Sequence, residues 1–170
     1  MKEIERKFLV HPDLIPSLTK EEAMKVQKIT QGYLSVTAPV VRVRVVTTSQ
    51  PDDVPRAYLT VKNAGMLVRE ELETEIFPKF GFALLTMCPV VISKNRREMG
   101  DGWLLDYVPA LDFWIAEVEL NHENQQFTRP PWIGKEVTDR PHEFSSLALA
   151  MKVTAKLRGD GTLSVRDASV

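Results

Sequence analysis

The sequence is poor in the residues that mark several large classes of protein. It has one cysteine, Cys88, among 170 residues, so no disulfide can form within the chain and no oxidising compartment is needed. The three histidines are scattered, which argues against a His/Cys zinc site. The longest apolar stretch, residues 82–92, is interrupted by Pro89 and is far shorter than a membrane-spanning helix. These shortages exclude a disulfide-rich scaffold, a structural zinc site and a transmembrane helix.

Net charge is also nearly absent. Twenty-two basic and twenty-three acidic residues leave a formal charge of -1, so the chain has no overall basic field for nucleic acid or an anionic membrane. Residues 1–7 are too charged for a secretory signal, and a cytoplasmic location is expected. We therefore expect no nucleic-acid partner and no membrane, and any anion-binding site must be a local cluster of charge.

Period-two alternation of apolar and polar residues predicts eight β-strands. Short connections favour a meandering antiparallel sheet, and the Pro- and Asp-rich stretch 50–55 predicts a hairpin loop. The strands are expected at Lys2–Val10, Ile29–Val36, Val40–Thr47, Ala57–Asn63, Val68–Phe77, Val90–Arg97, Gly102–Val108 and Trp114–Asn121.

Helices are expected between and after the strands. Thr19 and Glu22 have the spacing of a capping box, and Gly159 stands where the last helix should end. The helices are predicted at residues 20 to about 26, Lys79–Met87 and Phe144–Leu157. The chain is long enough for one domain, predicted over residues 1–158, with a small polar tail over 159–170 that we expect to be flexible.

The charged residues of the predicted strands share one face of the sheet, because side chains two apart along a strand point the same way. The acidic members are Glu3, Glu5, Glu71, Glu73, Glu75, Asp106, Glu117 and Glu119. The basic members are Lys7, Arg42, Arg44, Lys62, Arg69, Lys94 and Arg96. For any one strand, a solvated face of an ordinary antiparallel sheet explains this pattern.

The acidic pairs recur on separate strands, and this recurrence favours a functional site over a solvated sheet face. Carboxylates held close together repel unless a cation lies between them, so the pairs Glu3/Glu5, Glu71/Glu73 and Glu117/Glu119 suit a divalent metal. Hard oxygen ligands select Mg²⁺ or Mn²⁺. The Arg and Lys set is matched to phosphate oxygens, and closing the strands into a barrel would bring both sets into one interior.

These residues resemble the CYTH superfamily, the triphosphate tunnel metalloenzymes, and most of all its short bacterial inorganic triphosphatases. The resemblance begins with the Glu-x-Glu-x-Lys signature at residues 3–7 and runs in order to about residue 150. Its further motifs are Gln31-Gly32-Tyr33-Leu34, Arg42-x-Arg44, Leu59-Thr60-Val61-Lys62, Arg69-x-Glu71-x-Glu73, Lys94-x-Arg96, Asp106, Glu117-x-Glu119 and Gly134-Lys135-Glu136-Val137-Thr138.

The resemblance implies an α+β, mainly β fold: a closed eight-stranded antiparallel β-barrel, or tunnel, with flanking helices and a C-terminal helix. It places metal ligands at Glu3, Glu5, Glu71, Glu73, Asp106, Glu117 and Glu119, for Mg²⁺ or Mn²⁺. It places the phosphate-binding cations at Lys7, Arg42, Arg44, Lys62, Lys94 and Arg96. Catalytic roles are expected for Lys7, Lys62, Lys94 and Glu5.

The implied activity is metal-dependent hydrolysis of a small triphosphate, preferably inorganic triphosphate, to pyrophosphate and phosphate. Open alternatives are a class IV-like adenylate cyclase, a thiamine triphosphatase, and a non-catalytic module that binds polyphosphate or a nucleotide. The sequence also leaves a homodimer open. Glu75 lies outside the matched motifs, and the stretch 140–144 departs from the basic-aromatic pair of many relatives, so its contacts are not carried over.

Overall fold

Nine β-strands dominate the computed structural model, which describes the backbone of residues 2–63 and 68–159 and the side chains of residues 4–63 and 71–159. The predicted tail beyond Gly159 lies outside the described residues. The strands are β1 (Lys2–Val10), β2 (Gln27–Ser35), β3 (Val40–Thr47), β4 (Arg56–Lys62), β5 (Val68–Ile76), β6 (Val90–Glu98), β7 (Trp103–Val108), β8 (Phe113–Glu119) and β9 (Ile133–Glu136). All eight predicted strands are confirmed within a few residues, and β9 was not predicted.

All strand pairings are antiparallel, in the order β5-β4-β3-β2-β6-β7-β8-β1-β9. The two ends of the sheet also meet, since β5 pairs with β1 over Lys2–Ile4. That pairing spans three residue pairs, and β1 continues past it along β8 and β9. The mainly β antiparallel fold is confirmed, and the closed barrel is supported in part.

Four helices accompany the sheet in the described residues: α1 (Lys20–Lys25), α2 (Pro78–Leu85), α3 (Pro141–Phe144) and α4 (Ser146–Arg158). Helix α1 begins with the predicted capping box, in which Thr19 and Glu22 each bond the other's backbone N–H. None of the helices found in the described ranges has the length and apolar character needed to cross a bilayer.

The predicted C-terminal helix, Phe144–Leu157, is confirmed as α4 within two residues, and Ser145 separates it from the short helix α3. This residue has an extended backbone, and its hydroxyl accepts a hydrogen bond from the N–H of Ala148 (3.1 Å), so it ends α3 and caps α4. The end of α4 was predicted correctly: Gly159 has a φ of 76°, a left-handed conformation that glycine adopts without strain.

The C-terminal helix was expected without a position, and α4 packs on the inner face of the sheet. Phe144, Leu149, Ala150 and Val153 pack against apolar side chains that point to the same side of the sheet as the charged residues. Those strand residues are Leu9, Ile92, Val108 and Ile115. An amphipathic helix pattern shows that a helix buries one face, but not which face of the sheet receives it, so this position could not be predicted from periodicity.

The opposite, outer face of β1, β7 and β8 has its own core. Phe8, Trp103 and Val118 pack there against Phe127 and Trp132, which belong to the irregular segment between β8 and β9. Val118 is therefore covered on this face by an irregular segment rather than by a helix.

A close approach of two elements explains one glycine of the sheet. A Cβ atom at Gly32 of β2 would lie 2.6 Å from Sγ of Cys88, just after α2, so no larger residue fits there without movement. The thiol of Cys88 is half-buried and donates to the carbonyl of Leu84 (3.3 Å).

Candidate active site

A cavity of about 360 Å³ lies on the inner side of the sheet. Its walls come from seven strands and from the turn between α3 and α4. Its lining residues are Glu5, Lys7, Gln31, Tyr33, Ala38, Val40, Arg42, Arg44, Lys62, Asn63, Glu71, Glu73, Lys94, Arg96, Glu117, Glu119, Pro141, Ser145, Ser146 and Leu147. All six cations predicted from the sequence to bind phosphate therefore line one cavity.

The first half of the cavity wall is a network of buried ion pairs between β1, β6, β7 and β8. Nζ of Lys7 contacts a carboxylate oxygen of Glu117 and lies 3.2 Å from Glu5. Glu117 also accepts from Arg96 (2.8 Å). Arg96 in turn grips both oxygens of Asp106, each at 2.7 Å. A chain of alternating charges thus crosses from one strand to the next.

Asp106 lies behind this wall rather than on it. It is 1% exposed and accepts from Lys94 (2.5 Å) as well as from Arg96. Burial would raise the pKa of this carboxyl, but the charges of Lys94 and Arg96 outweigh it and hold the pKa below its ordinary value. Asp106 is therefore ionised and orients two cations toward the cavity.

The lysines of this network have pKa values shifted in opposite directions. Burial lowers the pKa of both Lys7 and Lys94. For Lys7 the carboxylates of Glu117 and Glu5 more than compensate, and its pKa is raised. Lys94 shares Asp106 with the neighbouring charge of Arg96, and its pKa is lowered. An added anion would therefore stabilise the charged form of Lys94 more than that of Lys7.

The second half of the wall joins β3, β4 and β5. Glu73 accepts from Arg42, Arg44 (each 3.1 Å) and the hydroxyl of Thr60 (2.7 Å). Glu71 lies 2.6 Å from Nζ of Lys62 and 3.3 Å from Arg42. The inner-face parity predicted for these strands is confirmed by their register, which sets Lys62 opposite Glu71 and Thr60 opposite Glu73.

Two arginine nitrogens of this half have unused hydrogen-bonding capacity. The Nε atoms of Arg42 and Arg44 are buried and make no hydrogen bond to the residues whose side chains are described. Leaving a buried donor unpaired costs free energy, roughly 1–3 kcal/mol. Phosphate oxygens in the cavity would be natural acceptors for such donors.

Carboxylates that could hold a metal meet across β1 and β8. Glu5 and Glu119 are direct cross-strand neighbours, and both line the cavity. Their oxygens fit a hard cation such as Mg²⁺. Within the described parts of the chain, no three His, Cys, Asp or Glu side chains gather into a ready-made metal cluster. Glu3 precedes Glu5 by two residues on β1, and its side chain lies outside the described residues.

Other residues singled out in the sequence do not line the cavity. Glu75 lies on the inner face of β5 opposite Tyr58, is exposed, and does not line the cavity. Arg140, in the stretch that departs from the family pattern, donates to Glu143 (2.8 Å) and covers the ring of Phe144. The side chain of Arg69 is outside the described residues.

Some lining residues carry no charge and had no predicted role. Gln31 donates to the hydroxyl of Tyr33 (2.8 Å), and both are almost fully buried. Burial raises the pKa of Tyr33 to about 12, so its hydroxyl stays protonated. Strand parity could have placed both on the inner face. Ser145 and Ser146, by contrast, reach the cavity only because α4 enters the barrel.

Comparisons with known proteins agree on one family. The model of the CYTH domain matches residues 1–149. An inorganic triphosphatase of Acetivibrio thermocellus is 36% identical over 154 residues, covering 85% of this chain and 91% of that protein. An inorganic triphosphatase of Nitrosomonas europaea is 30% identical over 165 residues, covering 89% of this chain and 99% of that protein. The crystal structure of an inorganic triphosphatase superposes with a TM-score of 0.56 at 27% identity, covering 88% of this chain and 97% of that one.

Proposed function

Because this chain belongs to the CYTH domain family, we propose that it hydrolyses inorganic triphosphate to pyrophosphate and phosphate. Two relatives that match most of the chain are inorganic triphosphatases. The observation that carries the proposal is the cavity itself, where six Lys and Arg side chains from four strands face one enclosed space. A compact polyanion is the ligand that such a space neutralises best.

The six cations are proposed to bind the three phosphates: Lys7, Arg42, Arg44, Lys62, Lys94 and Arg96. The Nε donors of Arg42 and Arg44 support this role because they have no described partner. Phosphoryl transfer depends on positioning and on stabilisation of the charge that moves to the leaving group. Lys7, Lys62 and Lys94 are proposed to stabilise that charge on the leaving pyrophosphate.

Glu5 and Glu119, with Glu3 and Glu117, are proposed to hold a divalent metal. Triphosphatases of this family are generally metal-dependent, and we propose Mg²⁺ or Mn²⁺ because all these ligands are hard oxygens. The metal would supply charge neutralisation and an activated water. For Asp106, Glu71 and Glu73 the ion pairs favour a different role, in which each carboxylate holds Lys or Arg side chains toward the substrate.

The proposal is tested by product analysis with inorganic triphosphate, thiamine triphosphate and ATP under identical pH and metal. With Mg²⁺ or Mn²⁺ we expect inorganic triphosphate to be cleaved fastest, and excess EDTA to stop the reaction. Cyclic AMP from ATP, with inorganic triphosphate uncleaved, would support the cyclase alternative. Tight binding of triphosphate without turnover would make the chain a non-catalytic binding module.

A paired substitution tests the metal assignment. Glu119→Gln removes one charge beside Glu5, and we expect kcat to fall at least about a hundredfold with the fold intact, since a ligand of the activating metal is weakened. Glu75→Gln is the matched control, because Glu75 lies on the inner face of β5 but does not line the cavity. Equal activities of the two variants would contradict the assignment.

A further inference from the structure

The segment Glu136–Thr138, which begins at the last residue of the short strand β9, holds the backbone of Lys7 from outside the cavity. The carbonyl of Lys7 accepts from the N–H of Val137 (2.8 Å), and the N–H of Lys7 donates to the hydroxyl of Thr138 (3.0 Å). Both hydrogen-bonding groups of this one peptide position are therefore taken by two consecutive residues. The side chain of Lys7, on the inner face, meets Glu117 and Glu5.

The Thr138 hydroxyl can accept from Lys7 because its own hydrogen is directed elsewhere. It donates to Oε1 of Glu136 (2.9 Å), which leaves a lone pair for the Lys7 N–H. The hydroxyl thus links a backbone amide of β1 to a carboxylate on the outer side of the sheet. A valine at this position would keep the shape and lose both hydrogen bonds.

Glu136 is itself fixed by two arginines. Arg6, the residue before Lys7, binds it through two nitrogens, with Nε 2.7 Å from Oε1, and Arg129 donates from 3.3 Å. Partial burial would raise the pKa of Glu136, but the hydrogen bonds from Arg6 and Thr138 prevail and hold it below the ordinary value. The guanidinium of Arg6 also lies over the ring of Phe127 (5.1 Å), which belongs to the outer core.

The same segment also leads to the other wall of the cavity. Val137 is fully buried in the core formed by α3, α4 and the strands, and its carbonyl accepts from Arg140 (3.0 Å) at the start of α3. The next turn carries Ser145 and Ser146 into the cavity lining. The segment therefore connects Lys7 to the α3–α4 turn.

We propose that Thr138 is a positioning residue for the triphosphatase reaction. Together with Glu136 it fixes the backbone of Lys7, and this keeps the ammonium group of Lys7 aligned with the substrate. The inference rests on the proposed function, in which Lys7 binds and stabilises phosphate charge. Neither Thr138 nor Glu136 lines the cavity. Misplacing a reacting group by about 1 Å can cost about a hundredfold in rate.

The test compares Thr138→Val with Thr138→Ser, which restores the hydroxyl, and with Thr154→Val as a matched control. Thr154 lies on α4 and donates to the carbonyl of Ala150 (2.9 Å), away from the lining residues. With inorganic triphosphate and Mg²⁺ we expect Thr138→Val to lower kcat about tenfold at nearly constant KM, because one positioning hydrogen bond is lost. Thr138→Ser and Thr154→Val should stay within about twofold of the parent.

Hydrogen exchange of the Lys7 amide is the second readout and needs no activity. We expect slow exchange in the parent and in Thr138→Ser, and at least about tenfold faster exchange in Thr138→Val. An unchanged kcat in Thr138→Val, an equal loss in Thr138→Ser, or an unprotected Lys7 amide in the parent overturns the proposal. Should the parent protein not cleave triphosphate, the proposed function fails, and the exchange comparison still decides whether Thr138 fixes Lys7.

Glu136→Gln carries the test where Thr138→Val does not fold. The amide keeps the size of the side chain but offers a weaker acceptor to the Thr138 hydroxyl and to Arg6. We expect faster exchange of the Lys7 amide and a severalfold lower kcat. If neither changes, the proposal is overturned.

Discussion

At the scale of single residues, the interior depends on carboxylates that are buried and charged. Asp106 is the clearest example, because Lys94 and Arg96 surround it on neighbouring β6. Two buried cations without this carboxylate would repel each other and lie in a medium that solvates them poorly. The residue is therefore needed for the cavity to exist before any substrate enters it.

Replacing Asp106 by asparagine should destabilise the fold strongly. We expect Asp106→Asn to lower the free energy of unfolding by about 3 kcal/mol, since one partner of a buried ion pair is lost. Glu143→Gln, which removes one charge of the partly exposed pair with Arg140, should cost much less. Urea denaturation of both variants checks this, and similar losses for the two would show that burial does not distinguish the pairs.

Stability should also fall with decreasing pH through the same carboxylates. Burial raises the pKa of Asp106 and Glu117, but the opposing charges of Lys94, Arg96 and Lys7 leave both below their ordinary values of 3.8 and 4.5. Below those values the unfolded chain takes up protons that the folded chain does not, so the stabilisation present above about pH 4.5 is lost as the pH falls further.

Urea denaturation between pH 7 and pH 3, with EDTA present, measures this dependence. The free energy of unfolding should decrease through that range in the parent protein and decrease less steeply in Asp106→Asn. Parallel curves for the two proteins would rule out Asp106 as a source of the acid sensitivity.

At the scale of elements, strand alternation decides which side chain serves the cavity. Arg96 and Arg97 are adjacent on β6, but Arg96 lines the cavity, whereas the guanidinium of Arg97 lies over the ring of Trp114 (5.0 Å) on the other face. Neighbours in sequence thus have unrelated surroundings, as the pleat of a strand requires.

A pair of alanine substitutions tests this separation. Arg96→Ala should lower kcat/KM for inorganic triphosphate by about a hundredfold or more, because a phosphate contact and the grip on Asp106 and Glu117 are lost together. Arg97→Ala should change it by about twofold at most. Steady-state phosphate release measures both, and a comparable loss in Arg97→Ala would contradict the proposed inner face.

Elements differ in how far their sequences predict them. The charged alternation of β3 and β5 predicted both the strands and the residues that face inward, because the period-two signal is long and regular. Strand β9 has four residues, one of them Gly134, and such a short segment carries too little periodicity to stand out. The contacts with Lys7 of β1 are made by Val137 and Thr138, the two residues after β9, and such a contact between distant parts of the chain has no local signature.

At the scale of the whole molecule, the inner face of the sheet has a charged part and an apolar part. Charged side chains occupy the cavity, and an apolar layer closed by α3 and α4 lies beyond it. The sequence predicted the charged layer through its parity and its resemblance to a known family. It could not predict that Leu9 and Ile115, on the same face as those charges, would receive a helix, since apolar side chains on either face of a sheet look alike in sequence.

Removing the aromatic residue at the junction of the two helices tests this closure. Phe144 is 2% exposed and stacks on Phe113 (centroids 6.1 Å apart), so Phe144→Ala should lower the free energy of unfolding by about 3–5 kcal/mol. Leu157→Ala, on the exposed end of α4, should change it by less than about 0.5 kcal/mol. Equal melting temperatures of the two variants would contradict the buried position of the helix pair.

The position of α4 has a consequence for the order in which parts of the protein fold during synthesis. Synthesis delivers every strand of the sheet before it delivers Ser146–Arg158, and domains begin to fold as they emerge, at roughly 5–20 residues per second. During that interval α4 does not yet cover the sheet, and water can reach the apolar layer from the side on which α4 later packs. The apolar layer is therefore complete only after α4 has been synthesised and packs on it.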